Sequence, residues 1–520
     1  MMQHTAKYLY PLVLGISVVF WKQRKKPLVV PNFEPQFLSL DESAKSRFSR
    51  RYHYKKLKEE LLEYEEAVLD LNTVFKLILK GSRLCQFIPV VKLGTDKEIL
   101  QLENDIRELK LDSEWSNTLK FNTSPHCQEE NLSCENGRLM TPIIRIQRLL
   151  TVLLQKLDGN FGQLLIDQGF LSILFDIYKK FSNQEPRISN LVLKLLSNIA
   201  MQNDQCAAAI VRTEWLHMLS ALMSVGTLEE TLLIEKICVN AINSFKGNGT
   251  HLGSNIYQLY SSDREPTMDI IFVHGLKGSV FRTWREKDDL SKLNRTRCWP
   301  RDWLSKDLNF PVRILAIDYP SSLIHFTGAV DTLDLRSQRF CVQLRDADVG
   351  SRPVVFICHS MGGLLVKNLL LNDKNLLRRT VGILFFATPH LGSPLAKYAY
   401  MALRPTNDVT MLRYNSLVNK KLHEEFMLIS DRVPVVVSVL ETEEAPLIFG
   451  TKSVMVPWES AILDFGAVYH VKDFHHNVCK PRDRTDNKYT IVLQFIADAL
   501  NQIKRCQQKM TFGLRLSYRV

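Results

Sequence analysis

Ser360 lies in RPVVFICHSMGGLLVKNLLL (352–371), where a β-branched apolar run meets a Gly-Gly pair and then a helical pattern. Its surroundings, Cys358-His359-Ser360-Met361-Gly362, differ from the G-x-S-x-G of a nucleophile elbow only by Cys in place of the first Gly. An elbow holds a serine on a strained strand-to-helix turn, with its hydroxyl presented to a base. Strand and helix approach closely there, so the flanking positions must be small. Gly362 and Gly363 meet this need on the helix side, and Cys358 is small enough to be tolerated on the strand side. The bland alternative is a structural serine at a tight turn.

A nucleophile of this kind needs two backbone N–H groups for the charge that develops on the attacked carbonyl oxygen. Met361 N–H, directly after the serine, is one candidate. The other comes from the loop after an earlier strand, and FVHGLKGS (272–279) makes Leu276 N–H the natural second donor. His274 precedes the serine, whereas folds with this elbow run serine, acid, histidine along the chain. It therefore reads as a shaper of that loop. The base is sought in DFHHNVCKP (473–481), at His475 or His476. Glu441, Glu459, Asp464 and Asp473 all lie between serine and histidines, so chain order does not choose the acid. Glu441 is preferred because it closes PVVVSVLE (434–441), and a strand end holds a carboxylate rigidly enough to orient an imidazole. This chemistry requires no metal or organic cofactor.

The elements that must position these groups follow from the texture after Pro266. Strands are predicted at 269–275, 312–319, 352–359, 381–390, 434–441 and 452–457, with helices at 331–345, 361–371, 391–403 and 489–503. Strands alternating with helices imply an α/β domain at 260–505 with a mostly parallel sheet covered on both faces, followed by a tail at 506–520.

At 520 residues the chain exceeds what one core usually serves. Residues 141–250 read as a second, all-α unit with a repeat. LLQKL at 153 returns as LLSNI at 195, IDQGFL at 166 as VRTEWL at 211, and Asn198 as Asn240, at offsets of 42 to 45. That period is what armadillo-like helix stacks show, and Trp215 is a candidate for a partner-binding face. Residues 34–140 form a helical and polar linker region, with an amphipathic stripe at Leu57, Leu61, Tyr64, Val68, Leu71, Phe75 and Leu79. Packing on a neighbouring helix is the commoner fate of such a stripe.

Residues 1–33 carry a 14-residue apolar run, Tyr8 to Trp21, followed by KQRKK and free of acids, which suits a membrane anchor or targeting segment. If the run spans, its basic flank stays cytosolic and the main body faces the cytosol. The net charge of +12 favours an anionic partner. A membrane surface is preferred to nucleic acid, because no basic run is interleaved with aromatics. The 10 cysteines show no C-x-x-C, which argues against a zinc ribbon or a disulfide scaffold. Cys238, Cys298, Cys341 and Cys358 read as buried thiols.

The segments FVHGLKGSVFRTWR, CWPRDWLSKD, HSMGGLLVKNLL, ATPHLGSPLAKY and DFHHNVCKP together resemble the serine active site-containing protein family, closely from about 266 to 500. The resemblance implies an α/β-hydrolase domain at mitochondria–endoplasmic reticulum contacts, with a role in phosphatidylglycerol remodelling and cholesterol trafficking. It implies Ser360 as the family's serine and His475, four residues before Cys-Lys-Pro, as its histidine. The expectation is a membrane-anchored serine esterase or acyltransferase with a phospholipid substrate. A thioesterase or protein deacylase would use the same residues. A non-catalytic scaffold, docking a protein partner on the repeats, is the rival from another class.

Overall fold

The computed structural model describes residues 71–82, 85–86, 90, single positions from 143 to 154, 162–182, 185–247, 249–285, 298–321, 332–394, 407–446 and 452–517. The apolar segment at 1–33 and most of the linker region lie outside these residues. None of the described helices is long and apolar enough to cross a membrane. The chain forms two compact units, Met1–Gly249 and Thr250–Val520.

The first unit is helical among its described residues: α1 (Leu71–Leu79), α2 (Gly162–Asp167), α3 (Phe170–Phe181), α4 (Pro186–Ala200), α5 (Asp204–Val211), α6 (Trp215–Val225) and α7 (Leu228–Lys246). Local chemistry sets the ends. Pro186 opens α4, where its missing N–H costs nothing. A Thr227–Glu230 capping box starts α7, and Gly247, at φ 62°, closes it. Asn240 Nδ2 donates to Ser197 O at 3.4 Å and Ser244 Oγ to Ala200 O at 3.0 Å, so α7 lies on α4 with partners 43 and 44 residues apart. The amphipathic stripe turns inward at its described end, where Val74, Phe75 and Ile78 are buried and Phe75 meets Phe245 at 6.0 Å. Trp215 is not on a free face. It is fully buried, its indole N–H donates to Leu171 O at 3.0 Å, and its ring lies edge-on to Phe175 and Tyr178. An apolar ring with an internal acceptor gains more inside the stack than at its surface.

The second unit is built on a seven-stranded sheet of order β1-β3-β2-β4-β5-β6-β9. Its strands are β1 (Ile256–Ser261), β2 (Met268–Val273), β3 (Val312–Ile317), β4 (Val354–His359), β5 (Thr380–Phe386), β6 (Val435–Glu441) and β9 (Ala467–Val471). Only β1 runs antiparallel to its neighbour. Every residue of β2 and β4 is buried, as befits parallel strands covered on both faces. The connecting helices include α8 (Val280–Thr283), α9 (Leu333–Asp346), α10 (Met361–Asn372), α11 (Lys374–Arg379), α12 (Asn407–Met411), α13 (Leu417–Met427), α14 (Trp458–Ala461) and α15 (Asn487–Ser517). At the N-terminal end of the sheet, fully buried Asp269 accepts from Arg313 at 2.8 and 2.9 Å and from Arg352 at 3.2 Å, tying β2, β3 and the entry to β4 together.

Four elements depart from the sequence expectation. β1 begins at Ile256, before residue 260, and β9 joins the sheet although four of its five residues are exposed, so no apolar pattern announced it. Conversely, of 452–457 only Lys452–Ser453 (β8) is extended, and it pairs with Ala445–Pro446 (β7) outside the main sheet. The Val456 N–H is spent on the Glu441 carboxylate instead of a strand ladder. Of the helix expected at 391–403, residues 391–394 are not helical and the rest lie outside the described residues. Cys238, Cys298, Cys341 and Cys358 are buried free thiols.

Candidate active site

In a parallel sheet, loops that follow the carboxyl ends of the strands converge, and a ligand site forms there. Four such loops meet in this unit. Ser360 follows β4, Glu441 is the last residue of β6, His475 follows β9, and Gly275–Leu276 follows β2.

Ser360 has φ 53° and ψ −128°, a strained backbone for a residue with a Cβ. The strain is held from both sides. Ser360 N–H donates to Phe386 O of β5 at 2.8 Å, and its carbonyl accepts from Gly363 N–H at 3.0 Å as α10 begins. The glycines are explained by the neighbours they touch. A Cβ on Gly362 would collide with the Val273 carbonyl, and one on Gly363 with the Thr388 hydroxyl. Cys358 sits wholly inside β4, and burial pushes its thiol well above the usual range, so it is a packed, unreactive group.

His475 Nε2 lies 2.9 Å from Ser360 Oγ, and His475 Nδ1 lies 2.7 Å from Glu441 Oε2. With Nδ1–H donating to the carboxylate, Nε2 is left as an acceptor for the serine hydroxyl. All three residues are buried, between 5 and 7 % exposed. The second oxygen of Glu441 accepts from Val456 N–H at 2.6 Å, which fixes the carboxylate's orientation. Of the competing acids, Glu459 and Asp464 are exposed. Asp473 instead braces the His475 loop, accepting from Phe474 N–H and Lys488 Nζ, each at 2.8 Å. His476 packs its ring edge-on, 5.7 Å from that of His475.

The loop after β2 lies against the nucleophile. A Cβ on Gly275 would come within 2.7 Å of Ser360 Cβ. Leu276 N–H and Met361 N–H are both unengaged by the described residues, which suits donors reserved for a bound oxyanion. His274 shapes this loop. It stacks on Tyr319 at 4.2 Å, its Nδ1–H donates to Gly275 O at 2.9 Å, and its Nε2 accepts from Tyr319 N–H at 3.2 Å.

One residue of the site escaped the sequence reading. His359, beside the nucleophile, sends its side chain back under the triad, and its Nε2–H donates to the His475 carbonyl at 2.9 Å. Burial keeps this imidazole well below its usual pKa, so it stays neutral. Its adjacency to Ser360 was the available signal, but the contact spans 116 residues.

A mixed α/β sheet with an elbow after its central strand, and serine, carboxylate and histidine in that chain order, defines the α/β-hydrolase class of fold. No family model matches the chain. The chain is similar to Protein SERAC1 of Danio rerio, 32% identical over 367 residues that make up 65% of this chain and 55% of that protein. It is also similar to Protein SERAC1 of Homo sapiens, 31% identical over 361 residues, 64% of this chain and 54% of that one. The chain thus spans about half the length of the curated relatives it matches. Among solved structures, the mature lipase BlEst2 of Bacillus licheniformis is similar with a TM-score of 0.33 and 16% identity, over 42% of this chain and 90% of that one. The phospholipase PlaB of Legionella pneumophila is similar with a TM-score of 0.26 and 19% identity, over 34% and 40%.

Proposed function

We propose that the chain is a membrane-anchored serine hydrolase or acyltransferase acting on acyl esters of phospholipids. The observation that carries this reading is the continuous relay from Ser360 Oγ through His475 to Glu441, on a strained turn beside two unengaged N–H groups. In the proposed reaction Ser360 Oγ attacks the ester carbonyl carbon while its proton passes to His475 Nε2. Glu441 stabilises the imidazolium, and Met361 and Leu276 N–H hold the tetrahedral oxyanion. The leaving lipid alcohol takes the proton from His475, leaving an acyl group on Ser360. Water, or a second lipid alcohol, then gives its proton to His475 and receives the acyl group, and His475 returns that proton to Ser360 Oγ as it leaves. The choice of acceptor separates hydrolysis from transfer. The preference for a lipid ester rests on the basic charge, the apolar N-terminal run and the likeness to the SERAC1 proteins. A place at mitochondria–endoplasmic reticulum contacts, in phosphatidylglycerol remodelling and cholesterol trafficking, belongs to the same proposal.

The test is labelling of the detergent-supported full chain with a fluorophosphonate probe, comparing wild type with Ser360→Ala and His475→Ala. Labelling that needs both residues supports an activated serine, and acyl release from phospholipids would then identify the substrate. A folded wild type that takes no label overturns the reading and leaves a scaffold.

A further inference from the structure

The loop that carries His475 and the short helix α8 after the β2 loop border an open cavity of about 950 Å³. Its walls contribute six cations, Arg282, Arg285, Lys472, Lys480, Arg482 and Lys488, against two carboxylates, Glu443 and Asp473. Three of the cations are engaged within the fold, Arg285 among them. Buried Lys488 meets Asp473 at 2.8 Å, and Arg482 meets Asp486 at 3.4 Å. The side chains of Arg282, Lys472 and Lys480 meet no acceptor among the described residues, and Asp473 is already committed to Lys488. Glu443 alone does not balance them.

The cavity belongs to the same corner of the fold as the nucleophile. Phe474 and Asn477, which line it, flank His475 and His476 in the chain. Lys480 is near enough to His476 and His359 that its charge adds to burial in lowering both imidazoles. Unmatched cations from separate segments, α8 and two points on one loop, suit a tetrahedral anion. Such an anion offers three or four acceptor oxygens in different directions, whereas a carboxylate offers two in one plane.

We propose that this cavity is a phosphate-binding subsite, with Arg282, Lys472 and Lys480 as its principal donors. Resting on the serine-hydrolase reading, the phosphate is that of a lipid whose acyl ester reaches Ser360. The same chemistry would also take a free phosphate compound.

The test is calorimetric titration of the full-length Ser360→Ala chain with inorganic phosphate, sn-glycerol 3-phosphate and glycerol at low salt. Both phosphates are expected to bind, and glycerol is not. The double variant Arg282→Gln/Lys480→Gln should weaken phosphate binding by roughly 100-fold, about tenfold for each charge-assisted hydrogen bond removed. Lys472→Gln, at an exposed position, is a second variant that leaves the core untouched. Affinity should also fall as added salt shortens the screening length. Absence of phosphate binding to the folded chain, or unchanged affinity in both variants, overturns the subsite. Soluble dihexanoyl phosphatidylglycerol distinguishes the sources. Competition with inorganic phosphate assigns the site to a lipid head group, and simultaneous binding assigns it to a free phosphate compound. Because binding needs no turnover, the two readings fail separately. Phosphate binding without fluorophosphonate labelling of wild type sinks the hydrolase and keeps the site, and labelling without phosphate binding does the reverse.

Discussion

Two carboxylates are buried in one sheet, Asp269 near the start of β2 and Glu441 at the end of β6, and they differ in what faces them. Asp269 faces two guanidinium groups, which stay charged at any pH the protein meets. Their other hydrogen bonds run to Ala347 O and the Asp348 carboxylate, so the whole group is a closed set of charges. Glu441 faces one backbone N–H and an imidazole. In the proposed reaction the imidazole takes a proton from Ser360 and gives it back, so this carboxylate faces a partner whose charge changes. Next to the His475 that Glu441 holds, the Ser360 backbone is strained, at φ 53° and ψ −128°. A buried carboxylate with permanent partners holds the fold, and one with a titratable partner on a strained rim is equipped for chemistry.

The comparison is broken most directly at the serine. Ser360→Ala should abolish fluorophosphonate labelling and lower any hydrolysis by roughly 10⁴- to 10⁶-fold without loss of fold, and labelling that survives would place the nucleophile elsewhere. Glu441→Gln should slow labelling by about 10³- to 10⁴-fold, because the amide no longer orients the imidazole or stabilises its charged form. Asp269→Asn should do the opposite. Two buried guanidinium groups lose their counter-charge, which costs about 3–5 kcal/mol of stability, while the folded fraction labels at the wild-type rate. Thermal melts beside labelling time courses would read both, and a crossed pattern, with Asp269 setting rate and Glu441 setting stability, would refute the distinction.

Two buried histidines and a half-buried one add a pH axis. His359, His390 and His423 are held below their usual range mainly by burial, His423 at about 4, where Lys367 Nζ also approaches its Nδ1 to 3.1 Å. Their folded forms bind protons less readily than the unfolded chain does. Stability is therefore complete above the unfolded value of about 6.5 and falls as pH drops through it toward 4. Melting temperatures from pH 7.5 to 4.5 should decline, and His423→Gln should make the decline shallower. The smallest effect is expected at Cys358→Gly, about 1 kcal/mol of stability for a strand glycine, with labelling retained.

Much of the site was legible because its signals are local. The elbow is contiguous, and the donor loop directly follows a strand. The choice of Glu441 over Glu459, Asp464 and Asp473 was only favoured by its place at a strand end. The contact of Glu441 with His475 depends on β9, an exposed strand with no apolar pattern, which sets where the His475 loop begins. The edge strands and the two-residue pairing at Lys452–Ser453 were illegible for the same reason, since they depend on which neighbour takes each N–H. Trp215 was misread as a surface group because its partners, Leu171, Phe175 and Tyr178, lie about one repeat earlier in the chain.

By itself the sequence determined the alternating α/β texture, the tight turn at Ser360 and the order serine, carboxylate, histidine. Each is carried by residues within one element or by simple order along the chain. Only the tertiary structure decided which carboxylate meets His475, that His359 supports it from below, and that cations from α8 and the His475 loop share one cavity. Those outcomes depend on distances between groups tens to hundreds of residues apart, which packing of the sheet and closure of its loops establish.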